Sequence, residues 1–251
     1  MIRTRFLSLL TLGLILGAMP VAAGPISHAM ELDPEGAVYF VDVERGRLLR
    51  YEKGSLSVFS ELSGVAAGNA MQNLIRTVDG ELYLGQKKDV WKVSPTGAVE
   101  AVKPPAKLKS LFKERPGDLA PDGSVYVARD YRTIERALPG GDAHPVLTTD
   151  VISKIHSMSA TPYGRVFFAN NSEIAKLDAE GEITIFQELE GDKVLGLAAV
   201  GENAVLVLRQ SEGAGLRLEH LDALGKTQDL VSAEQIAAVT MEQPVDTMAK
   251  D

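Results

Sequence analysis

Polar side chains recur at two fixed distances from a series of turn residues. Eight positions before successive turn glycines stand His28, Gln72, Arg115 and His156. Six positions after the turn residues stand Asp42, Gln86, Arg129, Asn170 and Arg209. Imidazole can accept a proton or bind a metal near neutral pH, whereas carboxylate, amide and guanidinium groups hydrogen-bond polar ligands. The pattern therefore predicts a ligand-binding site, with the two histidines as candidate catalytic groups.

The turn residues define a repeat that must position these side chains. The turns at Gly36, Gly80, Gly123, Gly164 and, in a degenerate fifth unit, Asn203 follow one another at intervals of 44, 43, 41 and 39 residues. Each is followed by a β-branched or aromatic run, such as Val-Tyr-Phe-Val at 38–41, and then by two further short runs. A period near 40 residues with four short strands per unit is typical of a β-propeller.

We therefore predict an all-β propeller of five four-stranded antiparallel blades over residues 24–232. Residues 233–251 are expected to form a C-terminal tail or a closing strand, and a sixth blade stays open as an alternative. Because successive strands in a blade run antiparallel, the innermost strands begin on the face where the second strands end. All nine polar positions are thus predicted to surround one mouth of the central channel. His28 and His156 are the candidate catalytic residues there, and the other seven are candidate ligand-binding residues.

Composition narrows the classes of partner and of chemistry. The formal net charge is −8, which argues against nucleic acid, since a phosphate-binding surface needs dense positive charge. The chain has no cysteine, so thiol chemistry is excluded. Neither the Gly-x-Ser-x-Gly elbow of hydrolases nor a glycine-rich phosphate loop occurs in the sequence. The expected partner is a small-molecule ligand or an envelope protein.

The N-terminus predicts export. Arg3 and Arg5 precede an apolar run from Phe6 to about Met19, and small side chains follow at Val21 and Ala23. This arrangement is typical of a secretory signal peptide over residues 1–23. The run is shorter than the roughly 20 residues of a membrane-spanning helix. We expect a periplasmic or secreted protein whose mature chain has no membrane span.

Two parts of the repeat resemble known families. The stretches "APDGSVYVARDYRTIERALPGG" and "TPYGRVFFANNSEIAKLDAEGEITIF" resemble NHL and virginiamycin B lyase repeats. The stretch "GAVYFVDVERGRLLRYEKGSLSVF" is similar to the opening blade of the gluconolactonase (SMP-30) family. The resemblance extends over residues 28 to about 232, and these families usually have six or more blades.

The two resemblances imply different chemistry at the mouth. The lyase resemblance implies a histidine base beside a magnesium ion, and His28 and His156 are the candidates by position. The gluconolactonase resemblance implies a divalent cation such as calcium, held by Glu, Asn and Asp side chains around the channel. This chain has Ser27 and His28 where that family places the glutamate of the first inner strand. The metal ligands therefore stay unassigned.

Three functions remain open from the sequence. The first is an exported propeller that binds a small ligand or a protein partner at the channel mouth. The second is a metal-dependent lyase or lactonase with a histidine base. The third is a structural component of an envelope assembly. Motifs of this kind specify the fold much better than they specify the activity.

Overall fold

The protein is described here by a computed structural model, in which residues 30–62, 65, 73–86, 89–112, 116–130, 132–152, 154–189, 192–211, 213 and 215–241 are placed. Over these residues the chain forms five four-stranded antiparallel sheets, each built from four consecutive strands. The prediction of a five-bladed all-β propeller is confirmed. The leader at 1–23 lies outside the described residues. None of the described helices is both long and apolar enough to cross a membrane.

The blades follow one another along the chain, and in each the strands are numbered from the inside outward. Blade 1 contains β1 (Met30–Leu32), β2 (Val38–Asp42), β3 (Arg47–Glu52) and β4 (Ser55–Glu61). Blade 2 contains β5 (Asn73–Arg76), β6 (Leu82–Gln86), β7 (Asp89–Val93) and β8 (Val99–Val102). Blade 3 contains β9 (Gly117–Leu119), β10 (Val125–Arg129), β11 (Thr133–Ala137) and β12 (Ala143–Thr148). Blade 4 contains β13 (Ser157–Ala160), β14 (Val166–Ala169), β15 (Glu173–Leu177) and β16 (Ile183–Glu188). Blade 5 contains β17 (Asp192–Val200), β18 (Ala204–Ser211), β19 (Gly215–Leu221) and β20 (Thr227–Val231).

The five innermost strands close into a ring. Each contacts the innermost strand of the next blade, in the order β1, β5, β9, β13 and β17, and β17 contacts β1 again. No strand is exchanged between the first and last blades over the described residues, because each sheet uses four strands that are consecutive in sequence. No β-sheet pairing therefore joins the first and last blades over these residues, and contacts between whole blades close the ring.

The hydrophobic core is divided among the five blade interfaces. In β2, Tyr39 and Val41 belong to the cluster shared with blade 2, whereas Val38 and Phe40 belong to the cluster shared with blade 5. Alternate side chains of a strand point to opposite faces of the sheet, so both faces of β2 must be apolar. This is why the second strands read as continuous hydrophobic runs. The three remaining clusters fill the interfaces between blades 2 and 3, 3 and 4, and 4 and 5.

The repeated glycines occupy the tight turns between first and second strands, as predicted. Gly36 has a φ of 91°, and its N–H donates to the Asp33 carbonyl at 3.0 Å. The Asp33 carboxylate in turn accepts the backbone N–H groups of Glu35 and Ala37. Glycine adopts positive φ without steric cost, and a short polar side chain stabilises such a turn. We call the side of the ring that carries these turns the turn face, and the opposite side the mouth face.

A short helix follows blade 5 and ties it to blade 1. Helix α1 (Ala233–Ala238) begins with a capping box, in which Ser232 and Gln235 each bond the other's backbone N–H. Ile236 is buried in the cluster between blades 5 and 1. The Arg47 guanidinium of blade 1 donates to the carbonyl oxygens of Ile236 at 3.0 Å and of Val239 at 2.5 Å. The seam between the last and first blades is thus bridged by the C-terminal helix.

Candidate binding site at the channel mouth

Strand register places the polar positions of the repeat at the mouth face. Asp42, Gln86 and Arg129 are the last residues of β2, β6 and β10, and Asn170 directly follows β14. Arg209 lies in β18 opposite Val194, near the start of the innermost strand. Second strands therefore present a polar residue at this face in all five blades. Of Gln86 only the backbone is described.

The positions at the start of the inner strands are described in blades 4 and 5. His28, Gln72 and Arg115 lie outside the described residues. The backbone N–H of His156 donates to the Ala169 carbonyl at 2.8 Å, which places it beside Asn170 across the strand pair. In blade 5 the equivalent residue, Leu195, lies where the register shifts between Val194 and Gly196. The fifth unit therefore has a β-bulge at this position.

Asp42 is held inside the blade 1 hairpin. Its carboxylate accepts from the Arg47 guanidinium at 2.7 Å and from that of Arg45 at 3.4 Å, and only 2% of its side chain is exposed. Arg47 is the same residue that bonds the carbonyls of Ile236 and Val239. The buried Asp42 carboxylate holds the Arg47 guanidinium in position to bond the carbonyl oxygens at α1. Asp42 consequently has little surface left for a ligand.

Arg209 belongs to an ion-pair quartet in blade 5. It donates to Glu219 at 2.6 Å and to Asp192, whereas Arg217 forms an ion pair with Glu219 at 2.7 Å and donates to Asp192 at 2.6 Å. Burial raises the pKa of Asp192, but the Ser211 hydroxyl and the two guanidinium groups outweigh it and hold this pKa below its usual range. The four charges alternate in sign and sum to zero. The quartet fixes the end of the blade at the mouth face.

Arg129 and Asn170 are the more accessible members of the group. The Arg129 side chain is 56% exposed and donates to Glu135 at 2.8 Å. Asn170 accepts the backbone N–H groups of Ser172 and Glu173 at 2.8 Å and donates to the Glu173 carboxylate at 2.9 Å. Both side chains are therefore held by partners within their own blade. The exposed part of the Arg129 guanidinium is accessible to a ligand.

The surroundings of His156 favour its neutral form. Burial lowers its pKa, and the positive charge of Lys154 lowers it further. A histidine whose pKa lies below the usual value of about 6.5 is neutral at pH 7 and can accept a proton. His156 is half-buried at the start of β13. Of the two candidate catalytic histidines, it is the one in the described part of the chain.

A second polar pattern lines the channel itself, and sequence reasoning did not identify it. Five positions before the turn glycines, at Glu31, Asp118 and Ser159, a polar side chain accepts a backbone N–H of the next inner strand. The Asp118 carboxylate accepts the Ala160 N–H at 2.7 Å, and the Ser159 hydroxyl accepts the Ala199 N–H at 3.0 Å. Polar residues at one repeat position of otherwise apolar inner strands are the signal that could have revealed these bonds. They connect blade 1 to 2, 3 to 4 and 4 to 5.

Two of these channel groups are carboxyls that resist ionisation. Burial raises the pKa of Glu31 well above its usual value, and the charge of Asp118 raises it further, against the opposing influence of Arg76. Burial also raises the pKa of Asp118, opposed by the Ala160, Leu119 and Ser159 hydrogen bonds. Each residue keeps a partly accessible surface but is surrounded by the inner strands. The surrounding protein, rather than bulk water, therefore determines the free energy of the ionised carboxylate.

The described residues do not form a donor set for a divalent cation. Among them, no group of three or more His, Asp or Glu side chains converges on one point. Calcium takes six to eight oxygen ligands and magnesium takes six ligands in octahedral geometry. Glu31 and Asp118 supply two carboxyls, both bonded to backbone N–H groups. The part of the chain that the structure describes therefore does not fit the calcium or magnesium site that the resemblance implies.

Comparison with solved structures returns β-propellers from the groups that the repeat resembles. A streptogramin B lyase is 12% identical, with 82% of this chain and 84% of that chain covered and a TM-score of 0.46. A gluconolactonase from Xanthomonas campestris is 11% identical, with 84% and 77% covered and a TM-score of 0.49. A calcium-binding regucalcin from Agrobacterium tumefaciens is 16% identical, with 82% and 73% covered and a TM-score of 0.43. No family model and no curated protein matches the chain.

These similarities carry no argument about activity. All three identities lie below 20% and all three TM-scores below 0.5. Propellers of one architecture serve many unrelated functions. The fold therefore rests on the strand pairing and the closed ring of inner strands, and the function must be argued from the site.

Proposed function

We propose that this chain is an exported β-propeller that binds a small ligand or an envelope protein at the mouth of its channel. The observation that carries the proposal is a polar residue at or near the mouth-face end of the second strand in all five blades. The leader-like residues 1–23 support export.

The local bonding of these residues supports recognition of a ligand. Arg129, Asn170 and Arg209 are each held by partners within their own blade. A site whose side chains are already ordered loses less conformational entropy on binding than one that must be assembled. Guanidinium and amide groups favour a ligand with hydrogen-bond acceptors, such as carboxylate or amide oxygens. Arg129 is the most exposed described charge at these positions and is the expected contact for an acidic group.

Charge reversal at the two faces tests the location of the site. The test variant is Arg129→Glu at the mouth face. The matched control is Lys53→Glu, because Lys53 lies in the β3–β4 turn on the turn face and is 86% exposed. Immobilised wild type, test variant and control are incubated with envelope extract, and retained proteins and small molecules are identified by mass spectrometry. We expect a species that wild type and Lys53→Glu retain and Arg129→Glu loses.

Two results would contradict this proposal. If the Arg129→Glu variant still retains the species and the Lys53→Glu variant does not, the binding site lies on the turn face. Equal retention by all three proteins would mean that neither face is responsible. Thermal unfolding of each variant is the control for folding, since both changes are at exposed positions and should cost little stability.

A histidine-dependent lyase or lactonase is the second candidate, and the lowered pKa of His156 favours it. This alternative predicts hydrolysis of a lactone or cleavage of a streptogramin B that falls at least tenfold in His156→Ala. It also predicts stoichiometric metal by elemental analysis of the purified protein. Under the binding proposal, neither activity is present and chelation leaves the melting temperature unchanged.

A further inference from the structure

A groove lies on the outer rim between blades 1 and 2, where the end of β4 meets the turn before β8. Its volume is about 570 Å³, and seven of its eleven lining residues are apolar. Phe59 of β4 forms one wall and Trp91 of β7 the other. The turn before β8 meets β4 so closely that a Cβ on Gly97 would lie 2.1 Å from the Phe59 carbonyl oxygen. The groove is thus a fixed feature where two blades meet.

The C-terminal segment leads directly into this groove. After α1, Val239 packs against the cluster between blades 5 and 1, and Arg47 holds its carbonyl oxygen. Two residues later, Met241 lines the groove beside Phe59 and Trp91 and still has 53% of its surface exposed. The chain therefore crosses the rim of blade 1 from the blade 5 side to the blade 2 side. Met241 is the last described residue.

We propose that residues 242–251 occupy this groove, so that the C-terminal segment straps blade 1 to blade 2. Ten residues remain after Met241, which when extended reach about 33 Å, longer than any strand of these blades. The segment carries two large apolar side chains, Val245 and Met248. Met241, the residue that precedes the segment, already lines the groove, so the segment starts at its edge. The arrangement extends the bridge that α1 and Arg47 already form between blades 5 and 1.

The only tryptophan of the chain, Trp91, lies in the groove and reports on its occupancy. Indole emission moves to longer wavelength and becomes easier to quench when the ring is exposed to water. In the full-length protein, Val245→Ser with Met248→Ser should shift the emission to longer wavelength and raise acrylamide quenching about twofold. Gln243→Ser in the same segment is the matched control and should leave both readings unchanged.

A truncated chain ending at Met241 provides the second measurement. It keeps α1 and its contacts, and it should show the emission of the double variant. Adding a synthetic peptide of residues 242–251 should restore the wild-type emission with a saturating dependence on peptide concentration. Cooperative thermal unfolding of each protein shows that the change is local to the groove.

Two outcomes would overturn the proposal. Identical emission and quenching in wild type, double variant and truncated chain would mean that the segment does not cover Trp91. An emission difference that disappears on dilution of the wild-type protein would identify a second copy as the occupant. The readout is independent of the mouth, so failure of this inference leaves the proposed binding function unaffected.

Discussion

Arg47 is the residue whose loss should most weaken the closure of the ring. It is buried, it pairs with Asp42 at 2.7 Å, and it donates to the carbonyl oxygens of Ile236 and Val239. These contacts join blade 1 to a helix about 190 residues later in the chain. Arg47→Leu keeps much of the side-chain volume but removes every one of these bonds. It also leaves the Asp42 carboxylate buried with Arg45 at 3.4 Å as its remaining ion-pair partner.

The expected cost follows from the burial of the pair. Removing one partner of a buried ion pair costs about 3–5 kcal/mol, because the other charge stays buried. The lost bonds to the two carbonyls add about 1.5–3 kcal/mol each when the donor is charged, although such terms are not additive. We take the ion-pair figure of about 4 kcal/mol as the minimum expected loss. With an m-value of about 2 kcal/mol per molar urea, the unfolding midpoint falls by roughly 2 M.

Two further variants separate the charge from the bonds. Asp42→Asn combined with Arg47→Leu removes the uncompensated carboxylate, so about half of the stability should return. Arg132→Leu is the matched control, since Arg132 and Asp150 form an exposed pair at 3.0 Å that is worth about 0–1 kcal/mol. Hydrogen exchange should also accelerate at the α1 amides of the Arg47 variant. A midpoint shift equal to that of Arg132→Leu, with α1 exchange unchanged, would refute the assigned role of Arg47.

Two other predictions address the channel and a blade contact. Glu31→Gln keeps an acceptor for the Arg76 N–H but cannot ionise. The raised pKa of Glu31 means that the contribution of this residue to stability is fully present below its unfolded-state pKa and is lost as pH rises through its folded-state pKa. The variant should therefore resist urea better than wild type at pH 7.5 and lose that advantage at pH 4; equal midpoints at pH 7.5 would contradict this. Gly97→Ala should lower the free energy of unfolding by at least about 2 kcal/mol more than Gly36→Ala. Both glycines have positive φ, but an added Cβ would meet the Phe59 carbonyl at Gly97 and open space at Gly36. Denaturation midpoints that coincide for these two variants would show that blade 2 moves freely against Phe59.

The repeat could be found in the sequence because blade formation is local. A turn glycine such as Gly36, the continuous apolar run at 38–41 and the next two short runs specify one hairpin after another without reference to distant residues. The same local rules predicted which residues lie on the mouth face of the ring. Asp42 and Arg129 end their strands at the mouth because register within a hairpin is fixed by its turn.

Contacts between residues of different blades could not be predicted from local sequence patterns. The bonds of Arg47 to Ile236, of Asp118 to Ala160 and of Ser159 to Ala199 join residues that are 189, 42 and 40 positions apart. Which blades meet depends on how many units complete the circle, and that number is set by the packing of whole sheets. Likewise, sequence placed Asp42 among ligand-binding residues, whereas the fold surrounds it with Arg45 and Arg47.

The sequence by itself determined that the chain is a series of similar antiparallel sheets with polar residues on a common face, because periodicity and turn chemistry act over a few residues. Only the tertiary structure decided that blade 5 closes on blade 1 through α1, that Glu31 and Asp118 share the channel, and that Trp91 borders a groove reached by Met241. These contacts arise when sheets far apart in sequence are brought together. Their partners are selected by shape and burial around the ring, which no local pattern encodes.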